Sequence, residues 1–264
     1  NDFKKYKKIA FALGDSYTQG LGGSLSSSYP AQLDLIVNTD NGEYMPKLGV
    51  INLGTSANGG LQNIENYHIY KTKIGIPDYV LYFGCDNDYM DDLRFSSGVT
   101  HRRLVDGSPY FGNLVKPLQF LSKFEIIKRL KYARRSYLDT QLASDNSNSK
   151  IIYDKCESNA KKSLYVLDEL LRLSKQDNFT LILSWVSAPS IESNCSSYSW
   201  TKNWAKKNDI KFADYINSIV STKNYWPNMP ISYDHSGGHF RNWINFLIAK
   251  SFSKILINDL ETKD

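Results

Sequence analysis

The stretch Lys8-Ile9-Ala10-Phe11-Ala12-Leu13, continuing into Gly14-Asp15-Ser16-Tyr17-Thr18-Gln19-Gly20, decides how the rest of the chain is read. The apolar run is strand-like and stops at Gly14. Ser16 then stands where the chain reverses, so its hydroxyl can face a crevice at the strand's carboxyl end. The same residue types also suit a plain turn with a helix N-cap. From this segment alone both readings stand, a nucleophile or a turn.

Outward from there, short apolar runs alternate with amphipathic segments. Strands are expected at Val50 to Leu53, Tyr79 to Phe83 (closed by Gly84), Phe179 to Trp185 and Ile210 to Ala213. Between them the pattern predicts helices over Pro30 to Val37, with Pro accepted in the first turn, and over Leu61 to Lys71. A further helix is expected within Tyr153 to Gln176, striped by Leu164, Leu167, Leu170 and Leu171. The last helix begins near Asn242 and is expected to carry Trp243, Phe246, Leu247 and Ile255 toward the core. The order strand, helix, strand predicts a flavodoxin-like three-layer α/β/α sandwich of about five parallel strands with right-handed crossovers. Residues 1–264 read as a single domain with an irregular insertion or cap at about 89–150, where Gly98, Gly107, Pro109, Gly112 and Pro117 loosen the pattern.

Composition narrows the function classes. With 264 residues, 32 Lys+Arg against 27 Asp+Glu and a net charge of +5, the chain can bury one sizeable core and carries no strong single-sign field. The one concentrated basic run, Lys128 to Arg135, reads as a solvated helix face, so no nucleic-acid partner is expected. No apolar run approaches the roughly 18 to 20 residues of a membrane span. Cys85, Cys156 and Cys195 are too few and too scattered for a disulfide scaffold or a thiolate zinc site, although a single Cys156–Cys195 bridge is conceivable. The sequence starts at Asn1 rather than Met, so this end does not give the compartment; a secreted or cell-envelope setting is slightly favoured over the cytoplasm. Oligomeric state is not legible.

Two common motifs are absent. Gly14 and Gly20 flank Ser16 at the wrong spacing for a G-x-S-x-G elbow. Gly20-Leu21-Gly22-Gly23 lacks the third glycine of a dinucleotide fingerprint, and no Gly-Lys-Ser/Thr follows. What is present is an ordered set: Ser16 after the first strand, Asn52-Leu53-Gly54-Thr55-Ser56-Ala57-Asn58-Gly59 after the second, Asn87-Asp88 after the third, and His239 before the final helix. Each block alone is a weak signal. Together, at successive strand ends, they resemble the four blocks of the SGNH, or GDSL-type, hydrolases.

The chemistry these blocks need can be stated physically. A neutral serine hydroxyl is a poor nucleophile and requires a base within hydrogen-bond reach, for which an imidazole has a suitable pKa. Of four histidines, His68 falls on an expected helix and His101 in the insertion. His239 is preferred over His235 because Asn245 and Leu247-Ile248-Ala249 follow it as in the family's closing helix. A metal site at His235 and His239 would need a helix between them, and Gly237-Gly238 intervene, so no metal is expected. The resemblance also implies an oxyanion hole made by the backbone N–H of Ser16, the backbone N–H of the second block and the side-chain amide of Asn87.

Three departures from the family pattern stand out. Ser236 occupies the position of the acid three residues before the histidine; Asp234 is nearest and could curl back to the imidazole, failing which the site is a Ser-His dyad. Ala57 stands where the family has its oxyanion glycine, and can still donate its N–H if the backbone admits a Cβ; otherwise Asn58 or Gly59 would substitute. The third block, Gly84-Cys85-Asp86-Asn87-Asp88, is one residue longer than usual. Asp15 and Asp88 are expected to brace their loops, and Cys85 to be a small buried residue.

The resemblance implies a serine esterase or deacylase acting on small acyl esters, plausibly O-acetyl groups on a carbohydrate, through an acyl-enzyme on Ser16 and without any cofactor. Tyr17, Tyr89, Tyr110, Phe111 and Trp185 are candidates for a sugar-stacking rim. Two alternatives remain at this stage: an O-acyltransferase with a saccharide acceptor, and a carbohydrate-binding module that keeps the fold without turnover.

Overall fold

A computed structural model describes residues 5–39, 47–96, 163–186, 197–226, 231–232 and 239–261. The chain divides into two compact units, Asn1–Asp92 with Cys156–Asp264, and Leu93–Lys155. The sheet and the site belong to the first.

Five strands, β1 (Lys8–Gly14), β2 (Leu48–Asn52), β3 (Tyr79–Gly84), β4 (Thr180–Trp185) and β5 (Lys211–Phe212), form one parallel sheet in the order β2-β1-β3-β4-β5. The near-continuous apolar reading of these strands follows from burial on both faces; all six residues of β3 are buried. Phe11 pairs with Val80 in register, so Phe83 points to the opposite face. Phe83 meets Tyr29 on one side, while Phe11 meets Tyr67 on the other.

The helices are α1 (Ser16–Gln19), α2 (Tyr29–Thr39), α3 (Gly60–Ile74), α4 (Asp88–Ser96), α5 (Leu164–Asp177), α6 (Ser197–Lys207), α7 (Ile216–Tyr225) and α8 (Asn242–Glu261). Of these, α2 packs on α8 and β2, and α3 packs on β1 and α5. The Tyr29 and Phe252 rings stack between α2 and α8, with centroids 5.4 Å apart and planes 13° apart. Because successive crossovers leave β1 in opposite directions, the carboxyl ends of β1 and β3 border the switch point where an open α/β sheet binds its ligands.

Several expectations need correction. The loosening after Gly84 does not begin at Tyr89: Asp88–Ser96 is helical, and only beyond it does the expected insertion pass outside the described residues. On α5 the buried face is Val166, Leu167, Leu170, Leu173 and Ser174, so Leu164 and Leu171 flank the stripe. On α8 the core face is Ile244, Ile248, Phe252, Leu256 and Leu260, whereas Phe246 is 45% exposed. Trp243, Leu247 and Ile255 pack against the core from its margin. Strand β2 starts two residues earlier than expected, and β5 is limited to the two residues that pair with Ile182 and Leu183.

Candidate active site

The nucleophile candidate is placed by a tight elbow. A Cβ on Gly14 would lie 2.2 Å from Thr18 Oγ1 and 2.7 Å from Phe83 O, so only glycine lets β1 turn into α1 here. The Gly14 N–H donates to Asn63 Oδ1 of α3 (3.0 Å), and Gly14 O accepts from Thr55 N (3.2 Å). Asp15 caps α1 by accepting from Tyr17 N at 2.9 Å, as the turn reading required. Ser16 is the first residue of α1 and is 8% exposed, so the cap falls on Asp15 and leaves the Ser16 hydroxyl out of that role.

His239 reaches it from the other end of the chain, with Nε2 2.8 Å from Ser16 Oγ. For the hydroxyl to donate, Nε2 must be the unprotonated nitrogen, with the ring proton on Nδ1. Elements around the imidazole fix its approach. Ser232 and Phe240 form an antiparallel bridge, and Arg241 donates to Ile231 O and Ser232 O, both at 2.9 Å. The Tyr17 ring lies 5.2 Å from the imidazole and 4.8 Å from Phe240. Asn245, buried at the start of α8, donates to Ser27 O at 3.0 Å and ties the helix to the chain just beyond the nucleophile. Asp234, His235 and Ser236 lie outside the described residues, as do His101, Tyr110, Phe111, Cys156, Cys195 and the basic run 128–135. His68 is exposed on α3.

The second turn lies against α1: a Cβ on Gly54 would come within 2.4 Å of Gln19 N. Four of its five N–H groups between residues 55 and 59 are committed. Thr55 donates to Gly14 O, Ser56 to Gln19 Oε1, Asn58 to Thr55 O and Gly59 to Gln62 Oε1. Ala57 N–H has no acceptor among the described residues, unlike the N–H groups of Asn58 and Gly59. Ala57 adopts φ +58°, the left-handed conformation its position demands, with a Cβ that glycine would not carry.

The third turn brings the buried carboxyls of Asp88, Asp91 and Asp92 together. Asp88 accepts from Tyr82 OH (2.8 Å) and Cys85 N (3.1 Å), bracing the loop as expected. Burial, then the charge of Asp15, pushes the Asp88 carboxyl well above the usual range. Burial also pushes Asp15 up to about 6, only partly countered by the Tyr17 N–H and the Asn87 side chain. Asn87 is exposed and donates through Nδ2 to Asp91 Oδ2 at 2.7 Å. Cys85 is buried, as expected, and burial pushes its thiol up, away from the reactive thiolate form. Trp185 is 1% exposed with its indole N–H on Asp86 Oδ1 at 2.9 Å, which removes it from any rim; Tyr17 and Tyr89 are half-buried.

A parallel sheet of this order, carrying a serine after β1 and a histidine before the last helix, has the fold of the G-D-S-L, or SGNH, lipolytic proteins. The similar solved structures include a member of the lipolytic protein G-D-S-L family from Veillonella parvula DSM 2008, with TM-score 0.53 and 10% identity over 94% of this chain and 98% of that one. They also include the psychrotrophic esterase EstA from Pseudoalteromonas sp., with TM-score 0.50 and 10% identity over 96% of this chain and 99% of that one. The acetylxylan esterase Axe2 from Geobacillus stearothermophilus gives TM-score 0.50 and 14% identity over 94% and 93%. No protein-family profile matches the sequence, and no curated protein matches it. The likeness is therefore one of fold.

Three residues around the candidate site escaped the sequence reading. Asn63 is fully buried beside Gly60 and Tyr67 on α3, and a polar residue on an apolar helix stripe was the signal that could have found it. Asp91 sits with Asp88 in an acidic first turn and Asp92 follows it; Asp91 and Asp92 were hidden because the segment did not read as a helix.

Proposed function

We propose that the protein is a carboxylic ester hydrolase in which Ser16 attacks the acyl carbonyl and His239 takes its proton. The 2.8 Å contact between His239 Nε2 and Ser16 Oγ carries this reading, since it joins residues 223 apart in sequence above the same rim of the sheet. The Ser16 and Ala57 N–H groups and the Asn87 amide are the donors for the oxyanion. The imidazolium returns its proton to the leaving alcohol, and water then cleaves the acyl-enzyme by the same route. The segment at about 89–150 is read as an insertion or cap on a single domain. Small acyl esters, O-acetylated carbohydrate among them, are the substrate class, supported by the fold shared with an acetylxylan esterase and by the half-buried Tyr17 ring beside the imidazole.

The test is labelling with a fluorophosphonate followed by peptide mapping, alongside turnover of an activated acetate ester and of acetylated xylo-oligosaccharide. The expected result is a single label on Ser16, abolished in His239→Ala, with turnover of both esters lost in Ser16→Ala. Turnover equal in intact protein and Ser16→Ala would overturn the enzyme reading. Turnover of the activated ester alone would overturn the carbohydrate part.

A further inference from the structure

Asn87 stands immediately before α4, where an asparagine side chain ordinarily turns its oxygen onto the first-turn N–H groups. Here the side chain is reversed. Its Nδ2 donates to Asp91 Oδ2 at 2.7 Å, while the Asp91 N–H closes the same turn on Asn87 O at 3.0 Å. An ionised carboxylate can only accept, so this contact fixes which end of the amide is nitrogen. Asp91 is itself 4% exposed, whereas Asn87 is open to solvent, so a buried acid grips an exposed amide from behind. An amide nitrogen carries two hydrogens. With one held by Asp91, the rotation of the side chain is set; the second diverges from it, near enough to the Asp15 carboxyl to favour that group's charged form.

We infer that Asp91 is a positioning residue for the oxyanion donor, holding the Asn87 amide so that its remaining N–H meets the negative charge that develops on the acyl oxygen. This rests on the reading of Asn87 given above. Preorganisation of this kind acts on the transition state more than on the bound ester, because a carbonyl oxygen makes a weaker hydrogen bond than an oxyanion does. Its loss therefore falls on kcat and leaves KM nearly unchanged.

The experiment is a double-mutant cycle on Asp91→Ala and Asn87→Ala with an activated acetate ester, kcat being referred to titrated active sites so that unfolded protein does not enter. Asn87→Ala is expected to lower kcat about 100-fold or more, in line with loss of an oxyanion donor. Asp91→Ala is expected to lower it about 10- to 100-fold at constant KM, and the double variant should fall no further than Asn87→Ala. Asp91→Asn keeps an acceptor oxygen facing Nδ2 and should recover most of the loss. Multiplicative effects, or a loss shared equally between KM and kcat, would overturn the positioning role. An Asn87→Ala variant with undiminished kcat would instead overturn the oxyanion assignment, so the two failures are distinguishable. If Asp91→Ala does not fold, Asp91→Asn and Asp91→Leu replace it in the same cycle, with recovery expected only in the former.

Discussion

At Ala57 a backbone requirement and a side chain pull in different directions. Its φ of +58° costs an alanine about 1–2 kcal/mol relative to ordinary helical backbone, while glycine would lose about 0.4–1 kcal/mol more unfolded-state entropy. Ala57→Gly is therefore expected to be about 0.5–1 kcal/mol more stable in urea denaturation and to keep its turnover, since the proposed donor is the backbone N–H. A less stable variant would mean the conformation is not strained. Asp15 gives the second residue-level prediction. Its carboxyl, raised to about 6 by burial, holds its proton in the folded protein at pH values where the unfolded chain has lost it. The stability this contributes is complete below about pH 4 and lost as pH rises through about 6. In Asp15→Asn the cap to Tyr17 N persists without the charge, so the variant should gain on the parent by roughly 1–3 kcal/mol between those pH values. Urea midpoints at pH 4, 5, 6 and 7 give that difference; a constant gap across the series would sink the claim.

Between elements, the β1–α3 contact is the one that reaches furthest into the site. Asn63, fully buried, accepts from Gly14 N and donates to Gly59 O at 2.8 Å, so one side chain joins the nucleophile elbow to the second turn. Asn63→Ala would leave the Gly14 N–H buried and unpaired, a loss of about 1–3 kcal/mol, and turnover should fall with the displaced elbow. Wild-type kcat in a destabilised variant would show that the elbow holds without this clamp. Elements of this kind were unevenly legible in the sequence. Ser16, Asn87 and His239 stood out only as an ordered set, each block alone being a weak signal, whereas strands buried on both faces read clearly as apolar runs. Helix α6 did not, since its buried face is Ser197, Tyr198, Thr201 and Ala205, too polar to register as a stripe. Helix α4 opens Asp-Tyr-Met-Asp-Asp, and its acids are buried against other elements rather than solvated, a tertiary effect that periodicity does not carry. The commitment of the Asn58 and Gly59 N–H groups likewise depends on partners, Thr55 O and Gln62 Oε1, that only the folded turn brings within reach.

For the molecule as a whole, the question is what keeps a hydroxyl and an imidazole from opposite ends of the chain in register. Ser16 is held at the end of β1, an interior strand of the sheet; His239 is held by the head of α8, and α8 is held by α2. The Tyr29–Phe252 stack is the centre of that second contact, with both rings fully buried. Phe252→Ala should cost about 3–5 kcal/mol, because the lost ring leaves a cavity between two helices that are each anchored elsewhere. Since α2 and α8 belong to the same packed unit as the sheet, turnover and helical circular dichroism are expected to fall together along a urea titration in both proteins, the variant at lower urea. Turnover lost well before the circular dichroism signal would mean that the α8 end opens on its own, and that the Ser16–His239 contact is maintained by local bonds such as Asn245 to Ser27 O rather than by the shared core.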